Sequence, residues 1–366
     1  MIEVCSPSIN RKEMDAVLTV LVEEKIGPGE QAERLIQLAK EKLSFDFCTA
    51  LRSPVFALKS ALSLLQLEQG SGVAVSAFSP RYYLKVIEES FLKPVIFDTA
   101  HGEPFPSAES ISAAIERSKE EAPVRCIVLH HALGYAPKFD DIEALGIPII
   151  EDCSTAFGSG FAASGALDGS AEAPNQSATD AGFVHCGTGG IFTILGLEER
   201  DVLTAGGGAL LYACARRNGS VLRNSISSLP PEYALPDMNA AMAIVQLREA
   251  EKSAAKRKEY AEAFIKSAMQ QGRHLQFAQP DGFIYNNYAF PLVLETGMKD
   301  VIAWAKRKEI AVELAFSSTL IGSGLVTQDL CPNAYSLSLR TAIFPIYPRL
   351  GGANVTKIAK LIQTLP

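Results

Sequence analysis

Residues 147–158 read Ile147-Pro148-Ile149-Ile150-Glu151-Asp152-Cys153-Ser154-Thr155-Ala156-Phe157-Gly158. A short apolar run closes on two adjacent carboxylates, and small residues then turn the chain. Such a run, bounded by turn residues, is the pattern of a buried strand. Upstream the same unit recurs. Gly72–Ala77, Pro94–Phe97 and Arg125–Leu129 read as strands, and they alternate with helical stretches at Tyr83–Ser90, Ala108–Arg117 and Ile142–Leu145. Ser107 is placed to cap the second of these helices. Strand–helix alternation from Gly72 to Asp152 implies an α/β fold with a mostly parallel sheet flanked by helices. Ligands of such sheets sit beyond the carboxyl ends of the strands, which makes Asp152 the residue to watch.

Working outward, Asn10 is placed to cap a helix over Arg11–Lys25, with Met14, Val17, Leu18, Leu21 and Val22 at helical spacing. Ile26-Gly27-Pro28-Gly29 breaks it, and a second amphipathic helix follows with Leu35, Ile36, Leu38, Ala39 and Leu43 inward. Ser53-Pro54 starts a helix running through Leu67, because serine caps and proline at the first position forfeits no needed hydrogen bond. Downstream, residues 161–180 form a loop by composition, a functional segment or an insertion. Ile191–Leu197 and Ala209–Cys214 read as strands around Gly206-Gly207-Gly208. That glycine run lacks the dinucleotide spacing and reads as a tight approach of turn to strand. A long helix over Asp237–Gln271 then leads to a smaller α+β unit: strands at Tyr288–Leu294 and Ile310–Leu314, helices at Lys299–Arg307 and Val355–Leu365. The expected division is a large domain over 1–236 and a linking helix with a small domain over 237–366.

Thirty-four basic against 41 acidic residues leave −7, with no basic stripe, so neither nucleic acid nor an anionic membrane is an expected partner. No apolar run reaches the roughly 18 residues of a membrane span, and the first residues lack a secretion-signal pattern. Seven cysteines without a CxxC pair read as thiols in a reducing compartment, with no metal site. The expectation is a cytoplasmic protein.

Four segments carry a resemblance that runs almost end to end. Ile150–Gly158 resembles IEDAAQAHG, and Thr204-Ala205-Gly206-Gly207-Gly208-Ala209 resembles TGEGGA. Asp237-Met238-Asn239-Ala240-Ala241-Met242-Ala243-Ile244-Val245-Gln246-Leu247 resembles SDLQAAIGLAQL. Cys331-Pro332-Asn333-Ala334 with Phe344-Pro345-Ile346-Tyr347-Pro348-Arg349-Leu350 resembles CPNA followed by LPLYPRL. These are segments of the DegT/DnrJ/EryC1/StrS sugar aminotransferases, pyridoxal-phosphate proteins of fold type I. The resemblance implies that Asp152 pairs with the cofactor's pyridinium nitrogen and that members form homodimers.

It also exposes departures. The family's imine-forming lysine, in FSFYPSK, falls on Glu198, and no Lys or Arg occurs from Phe139 to Glu199. A carboxylate forms no imine. The family's Ser-Gly-Thr phosphate cup falls on Ser53-Pro54-Val55, where proline removes an N–H and valine a hydroxyl. Ser53, Thr193 and Thr155 are the remaining hydroxyl candidates for cofactor binding. The ring-stacking aromatic falls on Pro80, which leaves Phe78, Tyr82 or Tyr83 to substitute. Two polar contacts before the long helix become Glu232 and Ala234. His185 and His131, the latter in a segment resembling HLYG, join Glu198 as candidate acid/base groups. Two readings follow. One is a family homologue without the catalytic lysine, a pseudoenzyme that binds a sugar nucleotide or a partner. The other is an enzyme that holds pyridoxal or pyridoxamine phosphate non-covalently and acts on a nucleotide-linked sugar.

Overall fold

The computed structural model of the chain describes residues 1–43, 45, 47–162, 182–226, 229–272, 276–295 and 297–366. Most of the 161–180 loop lies outside the described residues. The strands are β1 (Phe47–Leu51), β2 (Gly72–Ser76), β3 (Lys93–Phe97), β4 (Val124–His130), β5 (Ile149–Asp152), β6 (Gly160–Ala162), β7 (Phe183–His185), β8 (Phe192–Gly196), β9 (Ala209–Ala213), β10 (Phe283–Ile284), β11 (Phe290–Val293), β12 (Glu313–Leu314) and β13 (Thr341–Phe344). The helices are α1 (Arg11–Val22), α2 (Glu30–Leu43), α3 (Pro54–Leu64), α4 (Tyr82–Glu89), α5 (Ala108–Ser118), α6 (Phe139–Glu143), α7 (Arg216–Ile226), α8 (Asp237–Gln271), α9 (Met298–Arg307), α10 (Pro332–Arg340) and α11 (Gly352–Gln363).

Seven strands form the central sheet in the order β1-β9-β8-β5-β4-β2-β3. The run from β8 to β3 is parallel, and β9 and β1 close the other edge antiparallel. The β4, β5 and β8 carboxyl ends therefore lie together, at His130, Asp152 and Gly196. One face of the sheet carries Val73, Val75, Val128, Ile150 and Ile194 against Leu58 and Leu62 of α3 and Val86 and Ile87 of α4. The other packs Ala74, Ile127 and Leu129 against α5, and Leu195 and Leu210 against α2 and α8. Each fully buried leucine on these faces is worth roughly 2 kcal/mol of transfer free energy. A separate core joins α8, α9 and α11 to the antiparallel sheet β11-β13-β12.

α8 spans the expected residues, and the parallel strands match within a residue or two at each end. The second C-terminal strand is shorter than expected, two residues at Glu313–Leu314. The face of α1 differs more. Met14, Leu18, Leu21 and Val22 are exposed, whereas Val20 and the carboxylate Glu13 are buried. Glu13 is tolerated there because Asn10 N and Gln246 Nε2 both donate to it, at 3.0 and 2.7 Å. Gly208, at φ +119° and against Leu235 and the Leu51 carbonyl, leaves no room for a side chain, as a close turn-to-strand approach requires. Among the described residues, no helix is long and apolar enough to cross a membrane.

Candidate functional site

Polar groups converge where β4 and β5 end. His130 and Asp152 are register partners, so their side chains emerge on one face, with His130 Nδ1 3.4 Å from Asp152 Oδ2. Tyr83, in the first turn of α4, is fully buried and donates its hydroxyl to the same oxygen at 2.5 Å. Asp152 Oδ1 accepts from Ser154 N at 3.0 Å and from Ser154 Oγ at 2.5 Å. Ser154 Oγ itself accepts from Gly196 N at 2.8 Å, which ties β5 to β8. Burial pulls the Asp152 pKa upward, but His130, Ser154 and Tyr83 outweigh it and hold the carboxyl at about 2. Burial, then the Asp152 charge, pushes the Tyr83 phenol well above its ordinary range, so it stays a donor.

Glu151 points to the opposite face. His131 Nε2 lies 3.0 Å from its Oε2, and the amides of Gly187, Gly189 and Gly190 donate to it at 2.9, 3.0 and 2.6 Å. Gly187, at φ +92° and close to Tyr212, Thr193 and Cys153, admits no side chain in this turn. His131, Glu151 and Cys153 present ligand-type atoms within 4.8 Å of one another. With four donors already on Glu151, the group is a hydrogen-bonded staple rather than a cation cage.

The residues named from the sequence distribute as follows. Asp152 sits at the centre of the β4–β5 cluster. His131 and Thr193 lie across the sheet from it, and Thr193 Oγ1 donates to the Gly187 carbonyl at 2.8 Å. Thr155 Oγ1 donates to the His131 carbonyl at 2.7 Å. Ser53 Oγ caps α3, accepting from Phe56 N at 3.4 Å. Phe78 is buried and stacked on Phe316, ring centres 3.7 Å apart and planes 7° from parallel. His185 stands edge-on to Phe183 and lines a small cavity of about 40 Å³ with Cys153, Cys186 and Tyr212. Burial lowers its pKa. Glu198 is exposed just beyond β8, and its backbone N donates to Asp201 Oδ2 at 2.8 Å.

Three residues of the cluster were not singled out: His130, Ser154 and Asp201. Tyr83 entered only as a stacking ring. The strand register that seats His130 beside Asp152 comes from pairing between strands, and the chain by itself does not carry it. Asp201 lies mostly buried behind Gly196; burial, with the Asp152 and Glu198 charges, pushes its carboxyl up to about 8 against the pull of the Glu198 amide.

Pyridoxal phosphate, the cofactor the resemblance implies, does not fit these residues. The pyridinium nitrogen needs an Asp152 oxygen that faces the ring, and Tyr83 lies on Oδ2 while Ser154 donates twice to Oδ1. A stacked ring needs a slot beside Phe78, and Phe316 fills it. The imine needs an amine near the end of β8. There Glu198 and Glu199 are carboxylates, and the Arg200 guanidinium pairs with Glu313 at 3.0 Å. At the residues on which the resemblance places the phosphate cup, Pro54 has no N–H and Ser53 caps its own helix.

The sequence model of the DegT/DnrJ/EryC1/StrS aminotransferase family matches residues 7–363. Among solved structures, the aminotransferase TlmJ from Streptoalloteichus hindustanus superposes with a TM-score of 0.83 at 18% identity, covering 99% of this chain and 98% of that one. A DegT DnrJ EryC1 StrS aminotransferase from Brucella abortus gives 0.82 at 18% identity, over 96% and 94% of the two chains. A Streptococcus pneumoniae chain solved in PLP and PMP forms gives 0.83 and 0.82 at 17% identity, over 99% of this chain and 97% and 96% of the respective structures. The chain has the α/β architecture of the fold type I pyridoxal-phosphate enzymes, and it belongs to the DegT/DnrJ/EryC1/StrS aminotransferase family.

Proposed function

We propose that this family member does not transaminate and retains the fold as a binding protein for a nucleotide-linked sugar. The observation that carries the loss of transamination is the Tyr83–Asp152 hydrogen bond of 2.5 Å, which occupies the carboxylate that a pyridinium ring would need. The absence of Lys and Arg between Phe139 and Glu199 supports it from the sequence. The ligand class is inferred from the family and from neighbours such as the sugar aminotransferase CalS13 of Micromonospora echinospora, TM-score 0.79 at 15% identity over 100% of both chains. A homodimer is part of the same proposal, and a monomeric mass by sedimentation would contradict it.

Pyridoxal phosphate added to the folded protein, then borohydride, reads the first claim directly. The expected result is no stoichiometric lysine adduct by peptide mass spectrometry, only the scattered surface modification that the denatured chain also shows. One lysine modified to completion in the folded chain alone would overturn it. Binding of nucleotide-linked sugars is read by calorimetry, and no heat with any of a uridine, thymidine or guanosine diphosphate sugar panel removes the second claim.

A further inference from the structure

A polar cavity of about 150 Å³, which shares only Asp201 with the Asp152 cluster, opens between the N-terminal segment, the middle of α8 and the segment after β13. Its cations are Lys252, Lys256, Arg257 and Arg349, and its carboxyls are Glu13, Asp201 and Glu249. Arg257 is the unusual member. It is 9% exposed, and its one hydrogen bond among the described residues runs from Nη2 to the Val202 carbonyl at 3.4 Å. No described carboxylate lies within 4.0 Å of it. A guanidinium carries five donors, and a buried one without a counter-charge is costly.

The neighbouring acids do not supply that charge. Glu13 is held by Asn10 N and Gln246 Nε2, and Glu249 is held by Lys12 and Lys252 at 2.8 and 3.1 Å. Asp201, raised to about 8, is largely protonated at neutral pH. Four cations against the carboxylates of Glu13 and Glu249 leave a formal excess of two positive charges around the cavity. Lys256 has no carboxylate partner within 4.0 Å among the described residues, and Arg349 is oriented by its hydrogen bond to the Ile9 carbonyl. A compact dianion with several acceptor oxygens matches both the charge and the donor geometry of such a set.

We infer that this cavity is a binding site for a phosphate group, with Arg257 as the buried anchor and Lys256 and Arg349 at its mouth. The inference does not rest on the loss of transamination, since Tyr83 and Asp152 take no part in it.

Calorimetric titration of the full chain with inorganic phosphate, and separately with uridine diphosphate, tests it. Saturable binding is expected with a Kd of roughly 1 mM or tighter for at least one probe. Arg257→Gln should weaken it about tenfold or more, and exposed Lys256→Gln about threefold, as lost charge-assisted hydrogen bonds imply. Tighter uridine diphosphate would identify an esterified phosphate, and equal affinities a free one. Should Arg257→Gln fail to fold, Arg257→Lys, which keeps the charge and shortens the fork, is expected to bind several-fold more weakly than the native chain. No saturable binding of either probe, or binding unchanged in Lys256→Gln together with a folded Arg257 variant, would overturn the assignment.

Discussion

Replacing Glu151 by alanine is expected to destabilise the fold by about 4 kcal/mol or more, because it strands several buried donors at once. Three backbone amides from the Gly187–Gly190 turn and the His131 ring converge on this one carboxylate. Among the described residues none has a second partner of comparable geometry, and Glu151, His131, Gly187 and Gly190 are buried, with only Gly189 at the surface. Glu151→Gln should fall between the native chain and the alanine variant: its carbonyl still accepts, but its amide turns a donor toward a donor. Denaturant midpoints measure both. Glu116→Ala, which breaks only an exposed pair with Lys119, should leave the midpoint where it was. A Glu151→Ala midpoint equal to that control would mean that the turn finds its hydrogen bonds elsewhere. The staple also fixes an acid limb. Burial raises the Glu151 pKa, but His131 and the glycine amides more than reverse that, so its folded value is depressed. Asp152 is likewise depressed, to about 2. Depressed carboxyls contribute stability that is present above their unfolded values near 4 and lost as pH falls through the folded ones. The native chain should therefore lose stability from about pH 4 downward, and Glu151→Ala should lose less of it.

What the sequence made legible follows the reach of local forces. The parallel strands and α8 were readable because hydrophobic period and turn residues are local signals, and they positioned Asp152 at a strand end correctly. The inner face of α1 was not. Its apolar residues sit at helical spacing, yet the buried side holds Glu13, whose burial depends on Gln246 in α8. The site divides the same way. Glu151 and Asp152 are adjacent in sequence and alternate across the sheet, so the two histidines before them alternate too: His130 reaches Asp152 and His131 reaches Glu151. A choice between His130 and His131 depends on β4–β5 register, which no local pattern encodes. Tyr83 was visible as an aromatic near the site. Its role as the group that fills the Asp152 oxygen needed the direction of α4 over the sheet.

Asp201→Asn is expected to stabilise the protein, and by an amount that grows with pH. The Asp201 carboxyl is mostly buried, near the Asp152 and Glu198 charges, and its folded pKa rises from 3.8 to about 8. Between those values the folded chain holds a proton that the unfolded chain releases. This group's contribution is then fully present below about pH 4 and falls by about 1.4 kcal/mol per pH unit up to pH 8, where it levels off. The sum, ~6 kcal/mol, is an upper bound, because one side of the carboxyl faces the hydrated cavity. Asparagine has no proton to lose and keeps an oxygen for the Glu198 amide. Melting temperatures of the two chains should therefore coincide near pH 4 and separate steadily to pH 8, the variant higher. A separation independent of pH would show that Asp201 ionises normally. The sign matters for the site as well as for stability. A largely neutral carboxyl lies against Gly196 at the end of β8, three residues past Glu198, on which the family resemblance places the lysine. It can donate a proton to a ligand but can form no imine with one, and that chemistry agrees with a protein that binds without transferring an amino group.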